Sequence, residues 1–188
     1  MEPQVLILDG FLDAQACLRV RHAMDAGVPE AAEILDDTIA LDNTVRRASL
    51  IEVGPSTRLV LEKRLDALRE RVATRFSIPL SGREGLGLLR YPPGGFFRPH
   101  RDRGDVESWP GAARRRIAVV VFLTTAREAD RVGTFSGGAL RVIPDDDRHQ
   151  AVDIVPRAGT LVAFPATALH EVTEVRDGSR DAAIDWFI

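Results

Sequence analysis

The chain has 188 residues, enough for one domain with a sizeable core and few for two. With 45% hydrophobic and 28% charged residues it has the composition of a globular protein, and a formal net charge of −3 excludes the basic footprint of a nucleic-acid binder. Cys17, the only cysteine, excludes an intramolecular disulfide or a thiolate cage; Met1-Glu2-Pro3-Gln4 lacks the basic start of a secretion signal, and no stretch nears the roughly 20 apolar residues of a bilayer span, so a cytoplasmic protein with no membrane and no nucleic-acid partner is expected.

Val5–Leu8 reads as a short strand. Asp13 is placed to cap a helix that runs to about Ala26 and stops at Gly27. A second helix is marked by Leu61, Leu65, Leu68, Val72 and Phe76 at helical spacing, with Ser56 as its cap and Pro79 as its end. Residues 1–84 thus read as a mixed, partly helical support. The texture changes near Gly85. Eight short apolar or alternating runs follow: Leu86–Tyr91, Phe96–Asp102, Ile117–Leu123, Ala139–Ile143, Val152–Val155, Thr160–Phe164, Leu169–Val175 and Ala182–Ile188. Glycine- and proline-rich turns such as Gly94-Gly95 and Gly137-Gly138 separate them. Such density predicts a mainly β fold with flanking helices. It consists of a jelly-roll core over 85–188 with the helices outside, within one domain spanning 1–188.

Of the four histidines, His22 falls on the first helix and His149 in a polar turn that reads as solvated, and neither is assigned a role. His100 lies in Arg98-Pro-His-Arg-Asp102. Alternate residues of a strand share a face, so His100 and Asp102 can offer an imidazole and a carboxylate to one point. His170, in a later strand, is the third candidate. Two histidines and one carboxylate form the facial triad of non-haem Fe(II) sites, a donor set that magnesium does not favour. Ten positions beyond His170, Arg180 stands where it can grip a carboxylate bidentately. Each part has a plain alternative, a surface pair for His-x-Asp and a surface salt bridge for Arg180. The combination is far rarer than its parts.

From about Leu88 onward the chain resembles the 2-oxoglutarate/Fe(II)-dependent dioxygenases of the prolyl 4-hydroxylase type. The resemblance rests on Arg90-Tyr-Pro-Pro-Gly-Gly-Phe-Phe-Arg-Pro-His-Arg-Asp102, Val121-Phe-Leu-Thr124, Gly137-Gly-Ala-Leu140, Pro156-Arg-Ala-Gly-Thr-Leu161, Phe164-Pro165, His170-Glu-Val172 and Gly178-Ser-Arg180 followed by Trp186. It implies a double-stranded β-helix of the jelly-roll class, which agrees with the strand count. It also implies that His100, Asp102 and His170 ligate Fe(II), and that Arg180 holds the distal carboxylate of 2-oxoglutarate with help from the Tyr91 hydroxyl. Trp186 would lie near the substrate. A half-buried strand residue and a core tryptophan are the plain alternatives for Tyr91 and Trp186. The implied reaction consumes O2 and 2-oxoglutarate, releases succinate and CO2 and hydroxylates a C–H bond, with ascorbate as reductant. Retention of Asp102 favours hydroxylation over halogenation. Two departures stand out. Phe97 replaces a frequent tyrosine, and Ile117–Leu123 lacks a threonine that some relatives set against the cosubstrate.

The expected substrate is peptidyl, an amino acid or another small metabolite. Arg98, Arg101, Arg103, Arg114, Arg115 and Arg116 crowd the first metal motif. A solvated face is the ordinary reading of such a run; a functional one favours an acidic substrate. The segment from Gly104 to Ala113, carrying Trp109, is expected to close over the site as a lid. The alternatives are a non-catalytic jelly-roll metal-binding or sensor module, and a zinc or manganese cupin-like enzyme without 2-oxoglutarate dependence.

Overall fold

Hydrophobic periodicity decides where this chain coils and where it extends. The computed structural model describes residues 5–31, 34–35, 39–40, 44–104, 110–128, 132–144 and 150–188. Helix α1 (Ala14–Asp25) starts where the Asp13 carboxylate accepts the Ala16 N–H at 2.7 Å, and it buries Ala16, Cys17, Val20 and Met24. Helix α2 (Pro55–Phe76) buries Leu61, Leu65, Val72 and Phe76. Its cap is Gly54, not Ser56, and no side chain caps it. Pro55 opens the first turn because its fixed φ suits a helix and its missing N–H would be unpaired there anyway. Ser77, left-handed at φ 54°, closes the helix. Helix α3 (Pro110–Ala113) is a single turn. No helix among the described residues is long and apolar enough to cross a membrane.

The first part of the chain contributes β1 (Leu6–Leu8), β2 (Val28–Ala31), β3 (Ile34–Leu35), β4 (Ile39–Ala40), β5 (Arg46–Arg47) and β6 (Ser49–Glu52). The second contributes β7 (Gly87–Tyr91), β8 (Phe96–His100), β9 (Ile117–Phe122), β10 (Ser136–Gly137), β11 (Leu140–Ile143), β12 (Val152–Ile154), β13 (Leu161–Pro165), β14 (Leu169–Val172), β15 (Val175–Asp177) and β16 (Arg180–Phe187). A seven-stranded major sheet runs β1-β13-β9-β16-β7-β6-β2, and a five-stranded minor sheet runs β12-β11-β14-β8-β5. This is the predicted jelly roll, with boundary corrections. Leu169–Val175 splits into β14 and β15, β8 stops at His100, and β16 begins at Arg180 instead of Ala182.

Strand β9 shows how the layers form. Ile117, Val119 and Val121 pack outward with Leu61, Leu65 and Val72 of α2, while Ala118, Val120 and Phe122 face Leu140, Val142 and Phe164 inside the roll. Both faces are buried, so the run is continuously apolar where a half-exposed strand would alternate. Strand β16 follows the same parity. Ala183 and Phe187 join the helices, and Ala182, Ile184 and Trp186 face inward.

Candidate active site

Strands β8 and β14 are neighbours in the minor sheet, and their register sets His100 opposite His170. The two rings lie 4.2 Å apart between centroids. Asp102 is two residues past the end of β8, in a bend, so it reaches the pair by a turn of the chain and not by strand alternation as expected. The bend is stapled to the turn before His170. Arg103 N–H donates to the Ala166 carbonyl at 2.9 Å, and the Arg101 guanidinium donates to the Thr167 carbonyl. Asp102 Oδ1 lies 3.5 Å from His100 Nε2, and Oδ2 lies 3.6 Å from His170 Nε2. One donor atom from each of the three falls within 4.8 Å of the others, close enough for a single ion.

The histidine tautomers are set from behind. His100 Nδ1 is 2.7 Å from the Arg98 carbonyl and His170 Nδ1 is 3.0 Å from the Ala168 carbonyl. A carbonyl only accepts, so each Nδ1 carries a proton, and it is Nε2, on giving up its own, that can offer a lone pair to the shared point. Burial pushes the His170 pKa down, which keeps it neutral. Burial alone would raise the Asp102 carboxyl, but the charges of His170 and His100 and the His100 hydrogen bond outweigh it. They hold the carboxyl well below the usual carboxylate range. The donor set is thus two imidazoles, each with Nε2 turned to the shared point, and one ionised carboxylate, the groups that bind a metal.

Across the roll, Arg180 opens β16 opposite Tyr91 of β7. Its guanidinium carbon lies 5.0 Å from the Tyr91 ring centroid and 5.4 Å from that of Phe122. Arg180 is 1% exposed, its Nε has no hydrogen-bond partner, and among the described residues no carboxylate pairs with it. Burial lowers its pKa. A buried cation without a partner is costly and fits an anion that arrives as ligand. Gly138, at φ 63°, leaves room for the arginine stem: a Cβ there would sit 2.9 Å from Arg180 Cδ. No sequence signal beyond the paired glycines marked this role.

One open cavity of about 880 Å³ joins the two halves. His100, Asp102, His170, Tyr91, Arg180 and Trp186 line it, with Leu50, Leu89, Val120, Leu140, Val172 and Ile184 as apolar wall. Phe97, where a tyrosine was noted as missing, stacks on His100 with ring centroids 3.5 Å apart. The inner side of β9 is wholly apolar, in line with the second departure. Trp109 and the centre of its predicted lid lie outside the described residues, as does His149; His22 is exposed on α1. Of the crowded arginines, Arg98, Arg101, Arg103, Arg114 and Arg116 are exposed, but Arg115 is buried and paired with Glu84, whose part sequence reasoning missed.

The sequence profile of the 2OG-Fe(II) oxygenase superfamily matches residues 86–188, more than half of the chain. The chain belongs to this superfamily. A PKHD-type hydroxylase of Shewanella sp. (strain ANA-3) is 37% identical over 115 residues, covering 57% of this chain and 47% of the relative. A PKHD-type hydroxylase of Phenylobacterium zucineum (strain HLK1) is 31% identical over 150 residues, covering 75% of this chain and 59% of that protein. The chain therefore spans about half the length of the curated relatives it matches. The oxygenase fold is shared with a Pseudomonas putida prolyl-4-hydroxylase at a TM-score of 0.74 and 23% identity, over 99% of this chain and 92% of that one. It is shared as well with a Trichoplax adhaerens prolyl hydroxylase solved with a hypoxia inducible factor peptide, at a TM-score of 0.79 and 20% identity, over 100% of this chain and 84% of that one. The superfamily takes Fe(II) and 2-oxoglutarate, and the His/Asp/His cluster with a buried arginine that pairs with no carboxylate among the described residues has the chemistry both require.

Proposed function

We propose that the protein is an Fe(II)- and 2-oxoglutarate-dependent dioxygenase that hydroxylates a C–H bond of a peptidyl, amino-acid or small-metabolite substrate. The reading is carried by one observation: the His100/Asp102/His170 cluster and the unpartnered Arg180 line the same cavity. In this reading His100, Asp102 and His170 hold the metal, and Arg180 grips the distal carboxylate of 2-oxoglutarate with the Tyr91 hydroxyl beside it. Bound Fe(II) supplies the redox chemistry by which O2 and 2-oxoglutarate become succinate, CO2 and a hydroxyl on the substrate, with ascorbate keeping the metal reduced. The chain's own work is positional. The Arg98 and Ala168 carbonyls hold the imidazoles in the metal-binding tautomer. Leu89, Val120 and Val172 keep the wall beside the clamp dry, which strengthens the Arg180–carboxylate attraction. In this reading Trp186, which lines the same cavity, lies near the substrate. We further propose a single folding unit over 1–188 and a cytoplasmic setting, in which the single thiol of buried Cys17 stays reduced.

Anaerobic titration of the Fe(II)-loaded protein with 2-oxoglutarate tests the site, since the chelate gives a weak visible charge-transfer band. Admitting air is then expected to release succinate and CO2. Absence of both the band and succinate refutes the proposal. Metal uptake without turnover across peptidyl and small-molecule candidates would favour the sensor-module reading.

A further inference from the structure

Each histidine of the cluster has a backbone carbonyl behind it, but Asp102 is supported from three other places in the fold. Because β8 ends at His100, no strand ladder orients the backbone of Asp102. Instead Arg115, between α3 and β9, donates from Nη1 to the Asp102 backbone carbonyl at 3.1 Å. The same guanidinium is bidentate to Glu84, with Nε 2.7 Å from Oε2 and Nη2 bonded to Oε1. Its flat face covers the Trp186 ring at 3.7 Å from the centroid. The indole N–H of Trp186 is buried without a hydrogen-bond partner in the cavity that Asp102 also lines, and it contributes to holding the Asp102 carboxyl low. Arg115 is 5% exposed despite carrying a full charge, so the pair with Glu84 is a built feature and not a passing surface contact.

We propose that Glu84, Arg115 and Trp186 form a positioning cluster for Asp102. Arg115 fixes the backbone of the bend, Trp186 offers its N–H to the carboxylate, and Glu84 holds the guanidinium against the indole. A carboxylate can rotate about its Cβ–Cγ bond and bind one metal through either or both oxygens. A donor at one oxygen and a fixed backbone together select a single mode. Partners behind a metal ligand commonly govern affinity by on the order of 10–100-fold. The planar fork of Arg115 is what allows one side chain to serve Glu84, the Asp102 carbonyl and the indole face at once, so lysine is not an equivalent there.

The proposal rests on the metal reading of the His100/Asp102/His170 cluster, and Co(II) separates the two. Co(II) takes the same donors, and its visible d–d bands report ligand geometry without turnover. Affinity and spectrum are compared for the unaltered protein, Trp186→Phe, Arg115→Lys and His170→Ala, with the Tm of each metal-free protein alongside. Trp186→Phe keeps an aromatic ring for Arg115 to cover and removes the N–H together with part of the ring area. It is expected to weaken Co(II) binding about tenfold or more and to shift the d–d bands, with the metal-free Tm nearly unchanged. Arg115→Lys is expected to do the same, while His170→Ala abolishes the bands. Unaltered affinity and bands in Trp186→Phe and Arg115→Lys, with His170→Ala still defective, would reduce the cluster to packing and leave the metal centre standing. No Co(II) uptake by the unaltered protein would overturn the metal centre and the proposal together.

Discussion

On the outer face of β16, Asp181 is buried at 1% exposure and Arg90 bonds both of its oxygens, at 2.7 and 2.9 Å, with Arg21 of α1 3.5 Å away. One residue earlier, on the inner face, Arg180 is buried as deeply and has no carboxylate among the described residues. The outer face continues in the same manner: Asp185 is held by Arg83, which also bonds Asp66 of α2. The difference separates two uses of a buried charge. Pairs completed within the chain tie helices to the sheet and belong to the fold. A charge left incomplete costs stability and is retained where a ligand completes it.

The strongest way to break the comparison is on the inner face. His100→Ala, Asp102→Ala or His170→Ala is expected to abolish metal-dependent 2-oxoglutarate decarboxylation and to weaken Fe(II) binding severely. Succinate formation and equilibrium dialysis measure the two, and a fully active His→Ala variant with iron bound would remove the ligand assignment. Next comes Arg180. Arg180→Met is expected to lower 2-oxoglutarate affinity by tens to thousands of fold, about 2–5 kcal/mol, with Fe(II) affinity nearly intact. The same change is expected to raise the Tm of the ligand-free protein, because methionine fills the site without a stranded charge. Calorimetry reads both, and a lowered ligand-free Tm would show that Arg180 serves the fold.

Arg90→Met makes the opposite trade. It strands Asp181 with only Arg21 nearby, at a cost of about 3 kcal/mol, or a Tm fall of roughly 6–12 °C, while 2-oxoglutarate affinity changes little. A clamp defect as large as that of Arg180→Met would mean that the two faces are not independent. The smallest effect is with pH. Burial lowers the His170 pKa from 6.5, so below 6.5 the unfolded chain binds a proton that the folded one refuses. Stability is complete above 6.5 and declines as pH falls through the folded pKa. In metal-free protein this appears as a Tm that falls on acidification from pH 7, and His170→Gln is expected to flatten that part of the curve.

Much of this was legible in the linear sequence, for local reasons. Val72 and Phe76 mark a helix because burial repeats every turn, and Ile117–Phe122 marks a doubly buried strand because no polar residue interrupts it. The motif of His100, Asp102, His170 and Arg180 was readable because metal and carboxylate chemistry restrict residue type more tightly than packing does. The short strands β2, β5 and β6 were missed, since Arg46–Arg47 and Ser49–Glu52 carry no periodicity of their own and pair only because a sheet edge is presented to them. Only the tertiary structure decided that Asp102 arrives by a bend and that Arg115 is the buried member of an arginine-rich run, with Glu84 across the chain as its partner. It alone decided which of two adjacent charged residues, Arg180 or Asp181, is left without a partner. Strand parity assigns neighbours to opposite faces, but which face meets helices with arginines and which lines a cavity is a property of how the layers stack.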